Sequence, residues 1–369
     1  MAISETPTVR WGIVATGMIS SWFVTDLLLS RPEAPVRHVV QAIGSSSIEK
    51  GEAFATQYCP GSKPSIYGSY REVYNDSDVD VVYIGTPHAF HKKNCLDAIA
   101  VHKPILCEKA FTLNAHDARE VLEAARENRV YVTEAMWLRH RPVVKHIQKL
   151  VHEDKVLGDV FYASSEFGVL QDIANFPETS RYRNPDLGAG SLLDLGVYAL
   201  TWIMLALDPG TPGKSEFPTI LASQSHWKGI EVTTSGILTY PSTGRQGVFT
   251  STTNANSNPD VLARIRGTKG SIEVHGPCAS APEGFTVYPA FDGEPGAPEL
   301  KRGKGEYYDY RVAGRGYQFM ADSVALDVLA DKSQSSVMPW SETIRVMDVM
   351  DEIRRQGGTS YAADKNGGA

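Results

Sequence analysis

Cysteine is scarce and dispersed: Cys59, Cys95, Cys107 and Cys278 are the only four in 369 residues. No C-x-x-C pair occurs, nor any group of His, Cys and carboxylates at ligand spacing, so neither a disulfide framework nor a metal site is expected. Positive charge is not in excess either. The net charge is −7, from 36 Lys and Arg against 43 Asp and Glu, which argues against nucleic acid as a partner. No uncharged apolar run reaches a membrane-spanning length of about 18 residues, and the chain does not open on a charged n-region followed by an apolar stretch. Neither a membrane span nor a secretory leader is read, and the expected compartment is the reducing cytosol. With 42% hydrophobic and 21% charged residues, the composition is that of a globular protein long enough for two domains.

What is present is alternation. VRWGIVATGMISSWFVTDLLL (9–29) reads as strand, small-residue turn and helix, and HVVQAIGSSS (38–47) as a second strand. VDVVYIGT (79–86), a helix over 91–101, a strand ending at Lys109, a helix over 115–128 starting near Asn114, and VYVTEAM (130–136) continue the pattern. Repeated βα units predict a doubly wound parallel sheet. After Arg141 the pattern changes to a helix (143–153), a strand (159–167), a loop rich in Arg, Asn, Pro and Gly (177–190) and an apolar helix (191–207). Strands are then predicted at 219–226, 236–240, 248–252, 262–267, 271–275 and 285–289, with the Gly- and Pro-rich stretch 276–316 mostly looped and helices at 317–331 and 341–356. Successive strands without helices between them predict an antiparallel sheet. The fold class expected is α/β plus α+β, divided into 1–138 and 139–369.

The first turn is shaped for a dinucleotide pyrophosphate, but the G-x-G-x-x-G fingerprint is degraded to Ala15, Gly17 and Ser20. Small residues at all three positions still let backbone approach phosphate, with the amides of Met18 and Ile19 at the helix start facing the anion. At the end of the second strand a carboxylate would read the ribose of NAD. Ser45, Ser46 and Ser47 stand there instead, followed by Lys50, which favours the 2′-phosphate of NADP. Ser47 can equally cap the following helix.

Three further segments carry candidate chemistry. KPILCEKAFTLN (103–114) delivers Glu108 and Lys109 to the mouth of the parallel sheet. TPHAFHKK (86–93) places Thr86, Pro87, His88 and His91 at the same edge, and Trp137 follows the strand 130–136. Asp194 and Tyr198 are four apart on the apolar helix 191–207, hence on one face, with a carboxylate that needs a partner.

These residues, with EAMW, NPDLGAGSLLDLGVYALTW, RIRGTKGSIEV and MPWSETIRVMDVMDEIRRQGG, resemble the Gfo/Idh/MocA oxidoreductase family along nearly the whole chain. Within it the chain is most similar to the branch of dimeric dihydrodiol dehydrogenases and NADP-dependent D-xylose 1-dehydrogenases. The resemblance implies a Rossmann domain, then a domain with a large open antiparallel sheet through which a homodimer forms. It implies Lys109 as the catalytic lysine, Tyr198 as the acid-base residue, and Asp194, His91 and Trp137 around the substrate. The reaction implied is hydride transfer between a sugar or cyclic diol hydroxyl and NADP.

The chain departs from the family at Ala110, where relatives outside the branch carry Pro, and at WLRHRP (137–142), where the branch reads like WTRFFP; Met320 replaces an acidic residue. His140 and Arg141 would add positive charge if that loop lines the pocket, favouring an acidic substrate through Arg141. Alternatives are an oxidoreductase of a non-sugar or acidic metabolite and a non-catalytic NADP-sensing regulator, which could dispense with Lys109 and Tyr198.

Overall fold

The computed structural model describes residues 6–208, 215–292 and 301–366. Short runs of Val, Ile and Leu become six strands: β1 Thr8–Val14, β2 Arg37–Gly44, β3 Ser65–Tyr67, β4 Val81–Ile84, β5 Ile105–Glu108 and β6 Val132–Ala135. Between them run α1 Met18–Leu27, α2 Ile48–Tyr58, α3 Tyr70–Asn75, α4 His91–Ile99 and α5 Ala115–Asn128. All strand pairs are parallel, in the order β3-β2-β1-β4-β5-β6, so the strand order reverses between β1 and β4. Every residue of β4, β5 and β6 is buried. Cover on both faces is why these segments read as continuous apolar runs and not as alternating ones. Asn114 caps α5, accepting the Asp117 N–H at 2.8 Å. β3 and α3 are too short for periodicity to announce.

In the second half, α6 Pro142–Gln148 continues into a π-helical turn over Lys149–Glu153, and β7 Val160–Gly168 follows. The expected helix 191–207 is a π-helical turn, Leu192–Gly196, running into α7 Val197–Leu207. The strands β8 Thr219–Trp227, β9 Ile230–Tyr240, β10 Arg245–Thr252, β11 Ala263–Gly267, β12 Gly270–His275, β13 Gly284–Pro289 and β14 Glu306–Asp309 complete a sheet ordered β14-β13-β12-β11-β7-β10-β9-β8. The sheet is mixed, since β7 pairs in parallel with β10 while the other pairs are antiparallel. Insertion of the early strand β7 between two later ones creates the exception. β14 lies in the stretch 276–316 expected to be looped, of which 293–300 fall outside the described residues.

The two faces of this sheet differ. Ile220, Leu238, Gly247, Ala163, Ile265 and Ile272 form one buried cross-strand row. Against it lies α7, every residue of which is buried. Helix and sheet meet so closely that a Cβ on Gly247 would stand 2.1 Å from Ile203. The neighbouring row on the other face runs through Leu221, Ile237 and Val248, with Leu221 66% exposed.

Two helices close the chain, α8 Tyr317–Leu329 and α9 Trp340–Gly357. The chain forms two compact units: residues up to His140 with Ala313–Ile344, and Arg141–Val312 with residues from Arg345 onward. The expected division at 138 therefore misplaces 313–344. The reason is polar anchoring, which leaves no periodic trace. Asp26 on α1 accepts the N–H groups of Arg315, Gly316 and Tyr317 at 2.8, 2.7 and 3.0 Å, capping α8. Arg31 grips Asp322 with two contacts of 2.6 and 2.7 Å. Among the described residues no helix is long and apolar enough to cross a membrane.

Candidate functional site

In the first unit, candidate residues gather at the carboxyl edge of the parallel sheet, beside the switch between β1 and β4. Ala15 carries the turn in the left-handed region, at φ 77°, and its N–H donates to the Gly44 carbonyl at 3.0 Å. Gly17 is the N-cap of α1 and brings no side-chain cap. A Cβ there would meet nothing within 4 Å, and Met18 is 53% exposed. The helix start, including the Ile19 amide, is thus open to an anion. Ser20 takes the third fingerprint position for packing: a Cβ on Gly85 would lie 2.3 Å from its hydroxyl. These features fit a dinucleotide pyrophosphate.

At the end of β2, the Ser45 and Thr16 hydroxyls are 3.1 Å apart, and Lys50 Nζ donates to Ser46 Oγ at 3.1 Å. Ser47 has the capping role, accepting the Lys50 N–H at 3.4 Å. The Glu49 carboxyl turns back to the same cap, held below its ordinary range by its own N–H and the Ser47 hydroxyl. A cleft of about 740 Å³ opens beside β4, lined by Tyr70, Thr86, Pro87, Phe90 and Asn94 among others.

Two loops at this edge are tied through histidines. His88 Nε2 lies 3.2 Å from the Lys109 carbonyl. His91 is fully buried, with Nε2 2.7 Å from the Thr86 carbonyl and Nδ1 3.0 and 3.2 Å from those of Ala110 and Phe111. Burial pushes its pKa down to about 4, against the pull of those carbonyls, so the ring is neutral at pH 7. His91 is therefore a strut between loops, with both ring nitrogens engaged by carbonyls. Glu108 is likewise an interior group, accepting from Tyr83 Oη at 2.8 Å and from the Lys109 N–H at 3.2 Å. Lys109 itself is 9% exposed. Trp137 stacks on Tyr317 with ring centroids 4.5 Å apart, which fixes its plane.

Glu134 on β6 is a group that the sequence reading missed. It is buried, and neither carboxylate oxygen has a hydrogen bond of normal geometry among the described residues. Burial raises its pKa to about 7, opposed by the Thr343 hydroxyl, the Arg139 charge and the Phe111 main chain. Arg139 is itself paired with buried Glu342. A glutamate inside an apolar-looking strand was the available signal.

In the second unit, Tyr198 is buried and its ring sits 5.7 Å from that of Phe167. Asp194 lies in the π-helical turn, so the pair spans a junction and not a regular α-helical face. Arg181, from the loop 177–190, reaches the two Asp194 oxygens at 3.3–3.4 Å. The helix start is anchored by Glu231 on β9, which accepts from Ser191 Oγ at 2.6 Å, Leu192 N–H at 2.8 Å and Thr234 Oγ1 at 2.6 Å. Sequence reasoning named neither Arg181 nor Glu231. Arg141, 3% exposed, donates to the Pro282 carbonyl at 2.9 Å. That makes it an interior tie and not a solvent-facing side chain; His140 is buried as well.

Among the described residues, His116, Asp117 and Glu120 come within mutual ligand reach. Lys92 Nζ pairs with both carboxylates, at 2.7 Å from Asp117. A cation already neutralises that cluster.

A parallel sheet with a 321456 strand order, an open helix start at its switch point and a buried lysine at a strand end define a dinucleotide-binding oxidoreductase fold. Two family profiles match, "Oxidoreductase family, NAD-binding Rossmann fold" over residues 9–136 and "GFO/IDH/MocA C-terminal domain" over 144–273. The chain belongs to the Gfo/Idh/MocA family of oxidoreductases. It is 34% identical to a D-xylose 1-dehydrogenase (NADP(+)) of Hypocrea jecorina, over 98% of this chain and 95% of that one. It is 33% identical to a trans-1,2-dihydrobenzene-1,2-diol dehydrogenase of Sus scrofa, over 96% and 99%. A solved levoglucosan dehydrogenase in complex with NADH and levoglucosan shares the fold at TM-score 0.79 and 17% identity, over 95% and 97%.

Proposed function

We propose that the protein is an NADP-dependent dehydrogenase acting at C1 of a pyranose or at a hydroxyl of a cyclic trans-diol. The observation that carries this reading is the end-to-end likeness to the D-xylose 1-dehydrogenase (NADP(+)), covering 98% of a chain that keeps Lys109 and Tyr198. The bound cofactor supplies the hydride acceptor. Tyr198 takes the proton of the reacting hydroxyl, and Asp194 orients a substrate hydroxyl. Lys109 contributes the positive charge that favours the developing alkoxide. Trp137, fixed by Tyr317, walls the substrate ring.

Ala15, Gly17, Met18 and Ile19 hold the pyrophosphate, with Thr86, Pro87 and His88 at the adjoining strand end. Ser45, Ser46 and Lys50 receive the 2′-phosphate, where a carboxylate would repel it. A second copy of the chain covers the outer sheet row Leu221, Ile237 and Val248 to give a homodimer, and the cytosol is its compartment. The test is NADPH formation, read by absorbance, with D-xylose, other pyranoses, trans-diols and uronic acids. Reduction of NADP+ by a pyranose or diol is expected; no turnover across that panel, or turnover with NAD+ preferred, would overturn the reading.

A further inference from the structure

The loop 177–190 carries a cation onto the one carboxylate of an otherwise apolar helix start. Arg181 meets Asp194 through both terminal nitrogens, at 3.4 Å from Nη1 to Oδ1 and 3.4 and 3.3 Å from Nη2 to Oδ1 and Oδ2. These contacts are longer than the about 2.7–2.9 Å of a closed charge-assisted hydrogen bond. The guanidinium is held from its other side. Nη2 donates to Tyr182 Oη at 2.9 Å, and the group lies 4.1 Å from the Tyr182 ring centroid. Tyr182 in turn leans on Phe176, with centroids 5.5 Å apart. The loop is fastened by Arg183, which donates to the Phe176 carbonyl at 2.7 Å and the Ala174 carbonyl at 3.2 Å. Arg181 is therefore placed by its own loop and not by Asp194 alone.

A guanidinium and a carboxylate set 3.3–3.4 Å apart suit one ligand group above others. A hydroxyl can donate its proton to the carboxylate and accept from the guanidinium at once, whereas a carboxylate ligand would face Asp194 as a like charge. Asp194 stands four residues before Tyr198, the residue assigned to the reacting hydroxyl. We infer that Arg181, with Asp194, is a specificity-determining residue that reads the hydroxyl adjacent to the one oxidised, so that the substrate class is a ring bearing vicinal hydroxyls. This rests on the dehydrogenase reading above. It also unites the two substrate kinds of that reading, since a pyranose at C1–C2 and a cyclic trans-diol share this pair of hydroxyls and little else.

The test compares matched substrates that differ only in the neighbouring hydroxyl: D-xylose against 2-deoxy-D-xylose, and trans-1,2-cyclohexanediol against cyclohexanol. Initial rates of NADP+ reduction are measured for wild type, Arg181→Gln and Arg181→Lys. A site built to bond a hydroxyl discriminates strongly against its absence, because its polar groups are left unpaired. Arg181→Gln is expected to lower kcat/KM for the vicinal-hydroxyl member about 10- to 100-fold, mainly through KM, and to change it for the deoxy member less than about 3-fold. Arg181→Lys, which keeps the charge and loses the fork, should recover part of the loss, and it decides the matter where the Gln variant does not fold. Equal losses on both members of a pair, or none on either, overturn the inference while leaving the dehydrogenase reading intact. Failure of wild type to turn over any pyranose or diol, these four and the panel above included, removes both.

Discussion

The carboxyl edge of the parallel sheet and the start of the helix bearing Tyr198 present their candidate residues by different means. At the sheet edge, strand ends and main-chain bonds do the placing: His91 touches three carbonyls, and the helix start at Gly17 carries no side chain at all. At the helix start, side chains do it. Glu231 accepts from Ser191 and Leu192, 40 and 39 positions away in sequence, and Arg181 covers Asp194 from 13 positions away. A site set by backbone survives substitution of its neighbours, because every residue offers the same N–H and C=O groups. A site set by side chains can be retuned one residue at a time, and that is where substrate choice within a family of shared chemistry is expected to reside.

The sharpest way to break this comparison is to remove the chemistry from each region. Lys109→Ala and Tyr198→Phe should each lower kcat by about 10²- to 10⁴-fold, with NADP+ affinity little changed in a fluorescence titration. Near wild-type kcat in Tyr198→Phe would move the proton acceptor elsewhere, and not to His91, whose two ring nitrogens are engaged.

The next effect is on stability, and its sign depends on pH. Glu134 has its pKa raised in the fold to about 7 from 4.5, so its contribution is full below pH 4.5 and lost as pH rises through 7. His91 is lowered to about 4 from 6.5, so its contribution is full above pH 6.5 and lost as pH falls through 4. The two slopes oppose each other between them, and the wild type hides both. Glu134→Gln should therefore stabilise the protein at pH 8 relative to pH 5, by a differential of about 3 kcal/mol, read as Tm against pH. A flat difference between variant and wild type would show that Glu134 is ionised in the fold.

Smaller still is the loss at Arg141. Arg141→Met should cost about 1–3 kcal/mol through the Pro282 carbonyl it leaves, measured by urea unfolding, while the ratio of kcat/KM for D-xylose and a uronic acid stays put. A changed ratio would return Arg141 to the substrate. The mildest change is expected for Lys50→Ala, which should weaken NADP+ binding about 10-fold and leave NAD+ binding unaltered. Equal weakening of both cofactors would separate Lys50 from the 2′-phosphate.

Sequence by itself determined the parallel sheet, the helix over 115–128 with its Asn114 cap, most second-half strands to within a few residues, and the strand ends that hold Gly17, Thr86 and Lys109. Those features rest on local periodicity and on the rule that ligands meet a parallel sheet at its carboxyl edge, and both are written in consecutive residues. Only the tertiary structure decided that β7 runs parallel to β10, that 313–344 groups with the first unit, that His91 and Arg141 are interior ties, and that Arg181 and Glu231 frame the helix start. Each of these depends on a polar contact or strand pairing between residues far apart in the chain. A carboxylate or guanidinium reads the same in sequence whether it meets water or a buried partner, and the partner is chosen by the fold.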